Sequence, residues 1–212
     1  MDTSRQIARR LLEVGAVKLQ PRDPFTWASG LRSPIYCDNR VLLSHPAIRT
    51  QVVEALGAAA GAIGNLEGVA GVATAGIPHG ALLADRLGLP FIYVRSSAKE
   101  HGRRNQIEGR LETGHRYLVV EDLISTGGSS LQAVEVLRAA GAEVAGVVAI
   151  FTYRFPSAAR AFERAEVPLL TLSDYPTLLE EARTEGQLTP EDVTALTDWS
   201  EDPRAWSDRF EA

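Results

Sequence analysis

The stretch YLVVEDLISTGGSSLQAVEVLRAA, Tyr117 to Ala140, sets a strand, a charged turn and a helix start in immediate succession. Tyr117, Leu118, Val119 and Val120 are an apolar run rich in β-formers, the pattern of a strand buried on both faces. Glu121 and Asp122 close that run. Carboxylates are poor residues for a sheet interior but well placed at a strand's carboxyl end, where open parallel α/β sheets bind their ligands. Ser125, Thr126, Gly127, Gly128 and Ser129 then supply hydroxyls and two glycines free to take positive φ. The helix is expected from about Ser129, with Leu131, Val134 and Leu137 on one face and a stop at Gly141. Successive backbone N–H groups at its positive end can converge on an anion.

A glycine-rich strand-to-helix turn is by itself a common connection. What sets this one apart is the acidic pair. Carboxylates beside a phosphate cradle have a use if the ligand also carries hydroxyls to be gripped, or a divalent metal to be neutralised. Phosphate with vicinal hydroxyls describes a sugar phosphate. No lysine follows the glycines, which excludes a Walker loop, and the G-x-G-x-x-G spacing is absent too. On these residues EDLISTGGS resembles the phosphoribosyl pyrophosphate (PRPP) motif of the type I phosphoribosyltransferases. The resemblance implies that Glu121 and Asp122 hold the ribose hydroxyls while Ser125, Thr126, Gly127, Gly128 and Ser129 wrap the 5-phosphate. Leu123 and Ile124, lying between, complete that binding stretch.

With 212 residues the chain has room for one α/β domain and some extra elements. A net charge of −5 with near-average apolar and charged fractions describes an ordinary soluble globular protein, and argues against nucleic acid as partner. The single cysteine, Cys37, allows no internal disulfide or cysteine-based metal cluster and fits a reducing, cytoplasmic setting. Met1 to Lys18 reads as an amphipathic surface helix capped by Ser4, not a signal peptide. Val144 to Phe151, the longest strongly apolar run, is far short of the roughly 20 residues that cross a bilayer.

Along the chain, Leu19 to Arg40 carries Pro21, Pro24, Gly30 and Pro34 and is expected as loop or short strands. Within it FTWASGLRSPIYCDNR, Phe25 to Arg40, reads as a hairpin with Ile35 and Tyr36 in the core, and from Phe25 to Ser33 a ligand role competes equally. That block resembles the nucleobase side of orotate phosphoribosyltransferases, which implies that Phe25 faces orotate. Ser44 is expected to cap a helix with Pro46 in its first turn. Val69 to Ala73 reads as a strand, and Thr74 to Gly80 as a tight turn before the next helix. In the family this turn lies against pyrophosphate with its backbone N–H groups, here Ala75 and Gly76. His79 reads as a polar contact and not as a base.

Pro90 to Arg95 is expected as a strand, and Ser96 to His115 as a long polar connection without a neighbouring strand, the signature of a lid or binding loop. From Arg95 to Arg110 the chain carries Arg95, Lys99, Arg103, Arg104 and Arg110 against Glu100 and Glu108, opposing its overall negative balance. The spacing R-x-x-x-K-x-H-G, Arg95 to Gly102, resembles the family's catalytic loop. That implies roles at pyrophosphate for Arg95, Lys99 and His101, and a homodimer with shared active sites. Many orotate enzymes carry lysine where this chain has Ala28 and near Ser96 and Ser97; Arg32, Arg103 and Arg104 are the candidates to compensate. Glu143 to Phe151 reads as a further strand with Arg154 beyond its carboxyl end, where the resemblance places orotate contacts together with Ser125. Val167 to Leu172 reads as the last strand, followed by helices over Thr177 to Arg183 and Pro190 to Trp199.

The architecture this predicts is an open, mainly parallel sheet flanked by helices, one domain over 1–212 with core at about 46–171 and a small hood from about 1–45 and 172–212. The resemblance implies Mg²⁺-dependent phosphoribosyl transfer from PRPP to orotate, giving orotidine 5-phosphate and pyrophosphate in pyrimidine biosynthesis, with Lys99, His101 and Asp122 as catalytic residues and no membrane partner. Two other readings share the central motif: transfer to another nucleobase, and a non-catalytic PRPP sensor on the same fold. An acidic balance and an intact loop with Lys99 and His101 weigh against the sensor.

Overall fold

A computed structural model of the chain describes residues 2–27, 30–96 and 106–210. Two compact units result, Met1–His45 with Ser173–Ala212, and Pro46–Leu172.

The first unit opens with α1 (Thr3–Glu13), which buries Ile7, Ala8 and Leu11. Its cap is Asp2, whose carboxylate accepts from the Ser4 N–H at 3.0 Å. Ser4 therefore sits inside the first turn and does not cap it; a carboxylate earlier in the chain satisfies the same orphan donors and also opposes the helix dipole. Strands β1 (Val17–Leu19), β2 (Phe25–Thr26), β3 (Arg32–Ser33) and β4 (Ile35–Cys37) form two antiparallel ribbons, β1 with β4 and β2 with β3. The predicted hairpin is thus only the short β2–β3 pair. Ile35 is buried, but Tyr36, expected in the core, is 41% exposed. Successive strand residues face opposite ways, and Ile35 takes the inner side. A 3-10 turn, Asn39–Ser44, follows and absorbs Ser44, so Ser44 does not cap the next helix.

The second unit begins with α2 (Pro46–Ile63) and continues through β5 (Gly68–Val72), α3 (Gly76–Leu87), β6 (Phe91–Val94), β7 (Ile107–Glu108), β8 (Arg116–Ile124), α4 (Gly128–Ala139), β9 (Glu143–Thr152), α5 (Pro156–Arg164) and β10 (Leu169–Asp174). The sheet order is β10-β9-β8-β5-β6-β7, parallel from β9 through β6, with β7 antiparallel on β6. Val119, Val147 and Ala149 of the sheet pack with Ala133, Val134 and Leu137 of α4 and Phe162 of α5. Complete burial of Val134 or Leu137 contributes roughly 2 kcal/mol before the entropy of ordering is subtracted.

Four details differ from expectation. Strand β8 does not stop at the acidic pair: Glu121 still pairs with Ala149 and Ile124 with Thr152, because β9 beside it is equally long. Helix α3 already starts at Gly76, so Pro78 and His79 lie within it; a proline is tolerated in a first turn, where its missing N–H would have no helical partner. The polar connection after Arg95 is not wholly uncovered, since Ile107 and Glu108 pair with Val94 and Tyr93. Helix α5 was not anticipated; Pro156 starts it and Ala158 and Phe162 bury its inner face.

The chain then returns to the first unit with α6 (Tyr175–Thr184), α7 (Pro190–Glu201) and α8 (Pro203–Asp208). Helix α7 opens with a capping box in which Thr189 and Asp192 exchange side-chain to backbone bonds of 3.0 and 3.2 Å. Helix α1 packs on α6, where the fully buried Glu181 accepts from Nε of both Arg5 and Arg9. Trp199, also buried, meets the rings of Trp27 and Tyr175 edge-on at 5.9 and 5.3 Å.

Candidate active site

Strands β5 and β8 run side by side and parallel, Gly71 opposite Val120. After β5 the chain crosses through α3 to β6 on one flank; after β8 it crosses through α4 to β9 on the other. The two turns therefore diverge at the carboxyl edge and open the crevice at which doubly wound sheets hold ligands. The first turn, Ala73 to Ala75, includes a cis peptide between Ala73 and Thr74. It delivers Gly76 onto β8 so closely that a Cβ there would collide with the carbonyl oxygen of Val120, next to Glu121. The second turn ends at Gly127, left-handed at φ 83°, where a Cβ would lie 2.6 Å from the Phe162 ring. Neither position admits a side chain without moving its neighbours.

Helices α3, α4 and α5 follow Ala75, Gly127 and Phe155 with no side-chain cap, whereas α1, α6, α7 and α8 are capped by Asp2, Asp174, Thr189 and Asp202; of the three, α3 and α4 start after the adjacent strands β5 and β8. First-turn N–H groups have no carbonyl partner inside their own helix. Two neighbouring helix starts, at the carboxyl ends of adjacent strands, thus offer N–H groups and positive dipole ends to an anion.

The acidic pair lies beside them. Glu121 is only 5% exposed. Its Oε2 accepts from the hydroxyls of Ser129 at 3.3 Å and Ser130 at 3.2 Å, and its Oε1 from the N–H of Asp122 at 3.1 Å. Burial first, then the charge of Asp122, pushes its pKa up to about 8. Neutralising positive charge brought to this pair would favour the ionised form of Glu121. Leu123 and Ser125 are half-buried, Ile124 and Gly127 are buried, and Thr126, Gly128 and Ser129 are exposed along the turn.

Arg95 follows β6, on the far side of β5, with its Nη1 3.6 Å from Oε1 of Glu108. A small cavity lies among Val72 and Ala73, Arg95 and Ser96, and Ser129 and Gln132, so Arg95 and Ser129 share it. Arg154 is exposed, at φ 59°, and its N–H donates to Thr152 Oγ1 at 3.0 Å. It lines a different cavity, with Phe155, Ala158 and Thr171. Phe25 belongs to the first unit, half-buried and 5.7 Å from the Tyr36 ring. Arg32 is exposed there, its N–H donating to Ser207 Oγ at 2.9 Å. Lys99, His101, Arg103, Arg104, Ala28 and Ser97 lie outside the described residues.

Sequence reading missed Ser130 and Gln132. Ser130 falls on the same helical stripe as Val134 and Leu137, and a hydroxyl on an apolar stripe was the available signal. Gln132 donates from Nε2 to the Ser96 carbonyl at 3.1 Å, a contact between segments 36 residues apart that no local pattern announces.

Comparison with known proteins agrees with this geometry. Residues 53–166 match the phosphoribosyl transferase domain family. An orotate phosphoribosyltransferase of Bacteroides thetaiotaomicron is 53% identical over 206 residues, 97% of each chain. One of Cutibacterium acnes is 52% identical over 208 residues, covering 98% of this chain and 96% of its own. Among solved structures, orotate phosphoribosyltransferase from Aeropyrum pernix superposes with a TM-score of 0.75 at 33% identity, over 86% of this chain and 99% of its own. Matched from its sheet and crevice to nearly its full length, the chain belongs to the orotate phosphoribosyltransferase family.

Proposed function

We propose that the protein transfers the phosphoribosyl group of PRPP to a ring nitrogen of orotate, forming orotidine 5-phosphate and pyrophosphate. One observation carries this reading: near the carboxyl end of β8 the buried Glu121 and half-buried Asp122 stand a few residues before an uncapped helix start, beside a second uncapped helix start. A sugar phosphate has hydroxyls for the first and an anion for the second. The name shared by relatives at about half identity supports orotate as acceptor.

In the reaction the bond from C1 to the pyrophosphate oxygen breaks and its electron pair leaves with pyrophosphate. The ring nitrogen supplies the pair for the new C1–N bond and its proton is released. Positive charge grows on the sugar as that bond stretches, and Asp122, with Glu121 once deprotonated, favours it while orienting the ribose hydroxyls. The N–H groups at Ser125 to Ser129 take the 5-phosphate, and those at Ala75 and Gly76 the pyrophosphate. Arg95, Lys99 and His101 offset the charge accumulating on the leaving group, His101 by donating a proton near neutrality. Ser125 and Arg154 are the proposed orotate contacts.

Among the described residues there is no group of three or more His, Cys, Asp or Glu that could hold a metal ion. The acidic pair nevertheless suits a divalent ion carried in on ligand oxygens. Mg²⁺ bound in that way would neutralise pyrophosphate and polarise the departing oxygen. Following the family pattern, the protein acts in the cytoplasm as a homodimer with shared sites; no described helix is long and apolar enough to cross a membrane.

The test is the fall in orotate ultraviolet absorbance when protein, Mg²⁺, orotate and PRPP are mixed, with uracil, adenine and hypoxanthine compared as acceptors. Rapid loss with orotate alone is the expected result. Preference for another base, or tight nucleic-acid binding without turnover, overturns it.

A further inference from the structure

Oε2 of Glu121 accepts from two adjacent serines, and their surroundings differ. Ser129 is exposed on the rim of the turn, 3.3 Å from that oxygen. Ser130 is fully buried at 3.2 Å, on the stripe of α4 that packs into the core. A serine within a helix often bonds back to a carbonyl one turn earlier; here the hydroxyl reaches the carboxylate on the neighbouring strand instead. Alanine would suit an apolar stripe better and has the higher helix propensity. A phosphate arriving at the rim is a charged acceptor and competes for the Ser129 hydroxyl. The buried hydroxyl lies out of its reach.

We infer that Ser130 is a positioning residue: its buried hydroxyl keeps the Glu121 carboxyl aimed at the sugar when the 5-phosphate claims Ser129. The inference rests on the proposed phosphoribosyl transfer and deepens it. In the free protein the two serines are redundant donors to one oxygen, while in the loaded protein Ser130 alone remains on it. Removing Ser130 therefore weakens the hold on the sugar phosphate without touching the acceptor base.

The experiment is steady-state kinetics of Ser130→Ala with PRPP and orotate varied separately, together with a double-mutant cycle against Glu121→Gln. The expected result is a KM for PRPP raised about tenfold, as for one lost hydrogen bond to an ionisable group. The KM for orotate and the thermal midpoint stay close to wild type. In the Glu121→Gln background Ser130→Ala adds less than about twofold, because the partner it positions is already altered. An unchanged KM for PRPP, or an undiminished effect in the Glu121→Gln background, overturns the inference. Should Ser130→Ala fail to fold, Ser130→Cys keeps nearly the volume with a much weaker donor and reads the same quantity. Should wild type turn over no orotate, the transfer reading falls; calorimetric binding of PRPP with Mg²⁺ then decides the role of Ser130, weaker binding by Ser130→Ala supporting it and equal binding refuting it.

Discussion

Glu121 and Glu181 are both buried glutamates, one in each unit, and they are held in opposite ways. For Glu181 burial alone would raise the pKa, but the hydrogen bonds and charges of Arg5 and Arg9 outweigh it and hold the carboxyl below its usual range. Glu121 accepts from two hydroxyls and a backbone N–H, next to another carboxylate, and is pushed up to about 8. A carboxylate buried with its cations belongs to the scaffold. One buried beside a second acid is poised to favour positive charge on a ligand or transition state.

The contrast can be broken most sharply by deletion. Asp122→Ala, or the isosteric Glu121→Gln, should lower turnover with orotate by about 10² to 10³, the loss typical of one aimed electrostatic group, while the thermal midpoint stays near wild type. If either variant instead unfolds with turnover per folded molecule unchanged, the acidic pair is scaffold and the distinction fails. Glu181→Ala should do the reverse. It should cost about 2 kcal/mol in urea unfolding, less than breaking a fully buried pair because both arginines are half-exposed and can hydrate, and leave turnover per folded molecule intact.

The two glutamates also predict opposite pH dependences. The folded pKa of Glu121 is raised, so its contribution to stability is fully present below its ordinary value of 4.5 and is lost as pH rises towards about 8. Urea midpoints of Glu121→Gln across that window should fall less steeply than those of wild type. Glu181 is lowered, so its contribution is present above its ordinary value and lost as pH falls through the folded one; Glu181→Gln should flatten the acid side instead. The smallest effect belongs to Arg9→Ala. Half of Arg9 is in solvent and Arg5 remains on Glu181, so a loss of about 0.5 to 1 kcal/mol is expected by the same unfolding measurement.

Much of the second unit was legible because its signals are local. The apolar run before Glu121, the turn residues Ser125 to Gly127 and the stripe of Val134 and Leu137 fall within one short window, and each constrains the next. Where β8 ends was not legible, since its ladder is extended by Ala149 and Thr152 on β9. Tyr36 was misplaced for a similar reason: which face a strand residue takes depends on the partner strand, and β4 pairs with β1 instead of closing a hairpin on β3. Ser4 lost the capping position to Asp2, two competent residues among which short-range reasoning had no means to choose. The clasp on Glu181 joins side chains 172 and 176 residues apart, beyond the range of any periodicity.

The unit made from Met1–His45 and Ser173–Ala212 imposes an order on synthesis. A ribosome delivers Pro46–Leu172 as an uninterrupted piece before the residues that accompany the first forty-five exist. The sheet can thus form during translation, while Ile7, Leu11, Arg5 and Arg9 of α1 stay without the helix that covers them until Tyr175–Thr184 emerges. Nascent chains halted before that helix would carry a finished sheet and an amino-terminal segment open to proteases and chaperones, and release of the last forty residues would close it.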